Sequence, residues 1–187
     1  MVAPHPLAER LIERLQDKPK GFVLDFASGS GRNGEALRRA GFTVVTVPDR
    51  AAADAAALTS LRQRFAAVVS SHGLLHGDLA SIRDRVRAIA NALEDDGLLY
   101  ATFGSTQDAR FGRGVRVTDA TFAPADGDER GIAHTYFDRE GLLALLEPEF
   151  EAESLDQQRV DDVAGRWAHP TRPLAGAVHW FAVARKR

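Results

Sequence analysis

The chain has 187 residues, 44% of them hydrophobic, which is enough for one core and too few for two comfortable domains. A formal net charge of -2 lacks the basic excess of a duplex nucleic-acid binder, and the absence of cysteine excludes disulfides, thiolate metal sites and cysteine nucleophiles. No stretch approaches the ~18 apolar residues of a membrane span, and MVAPHPLAERLIERL lacks a secretory signal pattern, so a soluble, cytoplasmic protein with no membrane or nucleic-acid partner is expected.

Leu7, Leu11 and Leu15 recur every four residues and predict an amphipathic helix over Pro6 to Gln16. Phe22 to Ala27 is a short apolar run that reads as a strand, followed by a glycine turn and a helix near Asn33 to Ala40. Gly41 stands where a helix-terminating glycine belongs. The β-branched run Phe42 to Val47 predicts a second strand, stopped by Pro48. Residues 49 to 64 are alanine-rich and lean helical, and Phe65 to Ser70 is a further buried strand. Asp78 caps a helix whose apolar face is Leu79, Ile82, Val86, Ile89 and Leu93. Asp95, Asp96 and Gly97 turn the chain into a strand over Leu98 to Phe103. Residues 104 to 135 read as irregular, and Asp138 caps a helix to about Leu146. Phe150 to Leu155 and Ala177 to Ala184 are the last strands, joined by a loop over 159 to 176.

Strands alternating with helices predict an α/β, Rossmann-like doubly wound sheet, mostly parallel, within one domain over 1–187. The last two strands have no helix between them and are expected to pair antiparallel. Only about fifteen residues separate the second strand from Phe65, while one crossover takes about a dozen, so the usual third strand is expected to be vestigial or missing.

The most informative segment is Val23-Leu24-Asp25-Phe26-Ala27-Ser28-Gly29-Ser30-Gly31-Arg32-Asn33-Gly34. Glycines there let a backbone approach a bulky ligand, and open α/β sheets place ligands at the carboxyl ends of their strands. This segment resembles the first motif of the class I S-adenosylmethionine-dependent methyltransferases, an acid followed by glycines at alternate positions. Here those positions hold Asp25, Ala27, Gly29 and Gly31, with alanine replacing the first glycine. The resemblance implies S-adenosyl-L-methionine as cofactor, with Asp25, Ala27, Ser28, Gly29, Gly31 and Asn33 around it.

By the same resemblance, an acid after the second strand holds the ribose. Val47-Pro48-Asp49 puts proline at that place and Asp49 one residue later, where it reads either as the ribose ligand or as a turn aspartate. Asp54 stands either at the adenine or on an exposed helix. Ser71 and His72, after the strand FAAVVS, line the cofactor in the family, and His72 alternatively reads as a plain loop histidine. His76 reads as structural.

Phe111 to Gly114 (FGRG), Thr121-Phe122, Asp128-Glu129, Gly131 and His134 to Phe137 resemble a pattern in one group of small class I methyltransferases. The implied role of 104–136 is a lid over the active site, consistent with a long loop inside a compact domain. His134 and Tyr136 are the catalytic candidates: a neutral imidazole accepts a proton at pH 7, or else His134 pins the lid. Arg110, Arg113 and Arg116 form either an anion site or a solvated face. No metal site is read from the sequence, nor is an oligomeric state.

The expected function is in-line methyl transfer to a small-molecule substrate. Two alternatives stand beside it. One is a catalytically silent cofactor-binding or regulatory domain. The other is a nicotinamide-dependent oxidoreductase, because Gly29, Gly31 and Gly34 spell GxGxxG with Asp49 about 20 residues on.

Overall fold

The structure is a computed structural model and describes residues 3–48, 56–127, 129–159 and 175–187. Asp49, Asp54, Asp128 and most of the expected 159–176 loop lie outside the described residues.

Helix α1 (Pro6–Arg14) opens on proline at its first turn, and the His5 ring accepts from the Leu7 N–H at 3.2 Å. Strand β1 (Phe22–Phe26) is buried from Val23 onward and leads through the glycine bend into α2 (Arg32–Arg39). Gly41, with φ +93°, follows the helix end in the left-handed region, as its place in the sequence requires. Strand β2 (Thr43–Val47), a short helix α3 (Ala56–Thr59) and strand β3 (Phe65–Ser70) follow. Helix α4 (Leu79–Ala92) is capped by Asp78, whose carboxylate accepts from the Ser81 N–H at 2.8 Å.

Strand β4 (Leu93–Ser105) starts directly at the end of α4, earlier than the expected Leu98. The acidic turn is absorbed as an irregularity. Phe65 pairs with Leu93 and Ala67 with Leu98, and Asp96 adopts φ +61° in the intervening stretch. The segment 104–135 is not irregular throughout. It contains β5 (Val115–Arg116) and β6 (Thr121–Ala123) and reaches β7 (His134–Phe137), joined as antiparallel neighbours. Helix α5 (Arg139–Leu146), capped by Asp138, leads into β8 (Phe150–Arg159) and β9 (Val178–Lys186).

The sheet runs β2-β1-β3-β4, all parallel, with β9 antiparallel against β4 and β8 antiparallel against β9. The fold is thus the expected α/β sheet with an antiparallel C-terminal pair. Among the described residues no strand lies beyond β2. Side-chain alternation assigns the two faces. Leu24, Phe26, Val68, Leu99 and Phe103 pack against α4 and α5, while Val23, Ala67, Val69 and Tyr100 pack against α1 and α2. Among the described residues no helix is long and apolar enough to cross a membrane.

Gly104 pairs with His179 of β9 on one side and with Tyr136 of β7 on the other. β7 therefore occupies the edge of β4 that β3 uses up to Ala101. The hairpin region is stacked just past the carboxyl end of β3, beside the glycine bend.

Candidate functional site

The bend after β1 is open. Ala27, Gly29 and Gly31 all lie in the left-handed region, with φ +56°, +52° and +76°. The Ser28 N–H donates to the Val47 carbonyl at 3.1 Å, and the Gly31 N–H to the Ser28 carbonyl at 2.8 Å, which fixes the bend against the end of β2. A Cβ built on Gly29 or Gly31 would meet no atom of the described residues within 4 Å. Ala27 is different: it is buried, and its methyl fills the space left by Gly73.

Asp25 lies beneath the bend, 1% exposed, and one carboxylate oxygen accepts from the Gly34 N–H at 2.9 Å. It anchors the first turn of α2. Among the described residues no side chain caps that helix at Gly31. Asn33 is buried and spans two elements, accepting from the His5 N–H at 2.8 Å and donating to the Ser71 hydroxyl at 3.1 Å. The Ser71 carbonyl in turn accepts from the Thr102 hydroxyl at 2.5 Å. Asn33 and Ser71 therefore tie α1, α2 and the end of β3 together.

Five of the six histidines meet at this end of the sheet. The His72 ring lies 6.2 Å from His5 and 6.5 Å from His179. Burial drives His5 down to about 3, helped by the Arg32 charge, and drives His179 to about 3 against the opposing pull of Asp108. His72 is lowered in the same way, first by burial and then by His179 and His5. These three rings are neutral at physiological pH.

Under the hairpin lies a second polar group. Asp108, 4% exposed, accepts from the Val178 N–H at 3.0 Å and from Arg110 Nε at 3.1 Å. Arg110 also donates to Glu129 at 3.0 Å. Glu129 lies 3.4 Å from His76 Nε2 and 3.4 Å from His134 Nε2. The two imidazoles and Arg110 hold its carboxyl far below the usual carboxylate range, despite burial. Arg110 is thus engaged within the protein, whereas Arg113 and Arg116 are exposed, and Arg116 pairs with Asp119.

His134 is 3% exposed, with Nδ1 2.8 Å from the Ile132 carbonyl. Tyr136 is 3% exposed beside Phe111 and Phe122, and burial pushes its phenol up to about 12. The structure brings Asp25, Ala27, Ser28, Gly29, Gly31, Asn33, Ser71 and His72 to one end of the sheet, with His134 and Tyr136 on the adjoining hairpin strand. Sequence reasoning missed Asp108, His5 and His179, whose partners are remote in the chain, and assigned Glu129 no role of its own.

The sequence matches no family model and no curated protein. Solved structures do match. A methyltransferase from Methanosarcina mazei described as S-adenosylmethionine-dependent aligns with a TM-score of 0.71 at 16% identity, over 94% of this chain and 96% of its own. The 1,6-didemethyltoxoflavin-N1-methyltransferase of Burkholderia thailandensis, solved with 1,6-didemethyltoxoflavin and S-adenosylhomocysteine, gives 0.67 at 18% identity, over 97% and 76%. The magnesium protoporphyrin IX methyltransferase of Synechocystis, solved with S-adenosylmethionine, gives 0.60 at 12% identity, over 97% and 79%. Strand order, bend position and these alignments agree: the chain has the fold of the class I S-adenosylmethionine-dependent methyltransferases.

Proposed function

We propose that this chain is an enzyme that binds S-adenosyl-L-methionine at the bend after β1 and transfers its methyl group to a small molecule. The observation that carries the reading is the open bend itself. Two left-handed glycines lie at the carboxyl end of β1, where this sheet architecture receives its ligands, and no described residue fills the space before them. The bend fits the cofactor: a side chain at Gly29 or Gly31 would enter that space, and no described residue does.

When bound, the sulfonium supplies a methyl group and its own leaving group. The chain's residues then act by placement. Asp25 holds the start of α2, Ser28 holds the bend to β2, and the Asn33–Ser71 pair fixes the end of β3. Such rigidity lines up nucleophile, methyl and sulfur, and orientation of this kind is worth up to ~7–11 kcal/mol of a barrier. The hairpin carrying His134 and Tyr136 covers this end of the sheet and excludes water from the transfer. His134 is the candidate base for a protonated nucleophile, and Tyr136 the candidate for orienting it.

Calorimetry tests the reading with S-adenosylhomocysteine and, in parallel, with NADH. Binding of S-adenosylhomocysteine that is lost in Gly29→Ala but kept in Gly127→Ala is the expected result. Both glycines are left-handed and open, φ +52° and +75°, so backbone strain is matched and only the bend is filled in one of them. Binding of NADH alone would overturn the proposal. Methyl transfer from labelled cofactor to a metabolite panel then tests turnover, and binding without transfer would identify a silent domain.

A further inference from the structure

A second site lies between the hairpin and the loop after β3. His76 Nε2 stands 3.4 Å from Glu129 Oε1, and His134 Nε2 stands 3.4 Å from Glu129 Oε2. One ligand atom from each of the three residues lies within 4.8 Å of the other two. His134 Nδ1 is 2.8 Å from the Ile132 carbonyl, which only accepts, so Nδ1 donates there and Nε2 is the nitrogen turned to the carboxylate. Both Nε2 atoms are buried with no hydrogen-bond partner among the described residues, although the His76 side chain is 38% exposed. One metal ion can take both Nε2 atoms and the carboxylate at once.

We propose that His76, Glu129 and His134 bind one divalent transition-metal ion. Ligand atoms ~2.1 Å from a tetrahedral ion stand about 3.4 Å apart, which is the distance of each imidazole from the Glu129 oxygen it faces, Oε1 for His76 and Oε2 for His134. Two imidazoles and one carboxylate suit zinc and its neighbours rather than magnesium or calcium. The outer contacts are those of a metal centre. Ile132 takes the distal N–H of one imidazole, and Arg110 donates to Glu129 Oε2 at 3.0 Å, leaving Oε1 with its lone pairs toward His76. The ligands come from separate elements: His76 from the β3–α4 loop, Glu129 and His134 from the hairpin. Bound metal therefore adds a staple between the hairpin and the β3–α4 loop, beside the bridge His76–His134 and the Thr135–Gly77 hydrogen bond. Three protein ligands leave a fourth position for water or a substrate atom.

The site does not depend on the methyl-transfer reading, and its test uses none; a metal on His134 Nε2 takes the lone pair that a base would use, so in the metal-loaded protein His134 is a ligand and not the base. Untagged protein is stripped with chelator and titrated with Co2+ by absorption, with Zn2+ against a chromogenic competitor, and with Mg2+. One equivalent of Co2+ or Zn2+, a raised thermal midpoint and no response to Mg2+ are expected. His76→Gln and Glu129→Gln should each weaken binding about tenfold or more. His76 is partly exposed, so its variant is the one that keeps the fold, as circular dichroism checks. No saturable binding by the wild type overturns the proposal, as does equal binding by the folded His76→Gln variant. S-adenosylhomocysteine calorimetry on the stripped protein separates failure of this site from failure of the cofactor site.

Discussion

Ala27 and Gly73 form a complementary pair that can be broken and repaired. Ala27 stands where the class I motif has its first glycine, and its methyl is accommodated because Gly73 has none. A Cβ on Gly73 would lie 2.5 Å from the Ala27 Cβ, 2.8 Å from the Ser70 hydroxyl and 3.1 Å from the Phe26 ring. The nearest of these is a short, buried methyl on a left-handed backbone, which cannot retreat. Overpacking of this kind costs ~1–3 kcal/mol. Gly73→Ala should therefore destabilise by about 2 kcal/mol, or roughly 4–8 °C in thermal midpoint for a domain of this size. Ala27→Gly alone should be nearly neutral. Release from the left-handed region returns ~1–2 kcal/mol, offset by ~0.5–1 of added chain entropy and ~0.8 for the lost buried methyl. In the double variant the 2.5 Å contact disappears and only the rotatable Ser70 hydroxyl and the Phe26 ring edge must adjust. The cycle should then show a coupling of at least about 1 kcal/mol, within the ~0.5–3 seen for touching residues. Urea unfolding of the four proteins measures it. Additivity within ~0.3 kcal/mol would refute the claim that these two positions share one space.

Two further outcomes follow from the same end of the sheet. Arg85, buried to 4% exposure, donates to the Gly73 carbonyl at 2.7 Å and to the His76 carbonyl, so it latches the loop that carries His76. Arg85→Met keeps the stem and removes the charge-assisted bonds, worth ~1.5–3 kcal/mol each; it should lower the urea midpoint and raise amide exchange across 73–77, and unchanged exchange there would remove the latch. His5 and His179 are held near 3 in the folded chain by burial, against ~6.5 when unfolded. The unfolded chain therefore binds more protons between those values. Stability should be full above pH ~6.5 and fall as pH drops toward 3, by up to about 1.4 kcal/mol per pH unit for each ring. Unfolding free energies measured from pH 7 to 4 check this, and a flat profile would show that the rings are not buried neutral.

Local chemistry was legible in the sequence, and remote pairing was not. The helix caps Asp78 and Asp138 and the terminator Gly41 act within a few residues, and each stands in the structure where its type predicts. The strand–bend–helix motif was readable for the same reason. The hairpin was not, because strands of two and three residues carry no periodicity. Gly114 illustrates what replaces it: a side chain there would strike the Ala123 carbonyl, so the β5–β6 pairing rests on one glycine rather than on an apolar pattern. Asn33 gave a signal for the bend, yet its side chain is spent on His5 and Ser71, contacts 28 and 38 residues away. His5 and His179 come from opposite ends of the chain, and nothing near either one announces their neighbour.

The juxtaposition of bend, hairpin and polar cluster follows from the unequal lengths of two strands. β3 has 6 residues and β4 has 13, and β3 runs out at Ser70 opposite Ala101. Beyond that point one edge of β4 is unpaired, and a bare edge seeks a strand. Gly104 makes the docking possible, since a Cβ there would lie 2.5 Å from the Thr135 carbonyl. β7 takes the place, pairing Tyr136 with Gly104 and Phe137 with Ser105. Its first residue, His134, thereby comes against His76 at the end of the loop that follows β3. The overhang of β4 thus delivers the hairpin to the carboxyl end of the sheet, and with it the Glu129 carboxylate that both imidazoles face. A strand ending at Ala101 would leave the glycine bend intact and give the His134 ring no partner edge to bring it there.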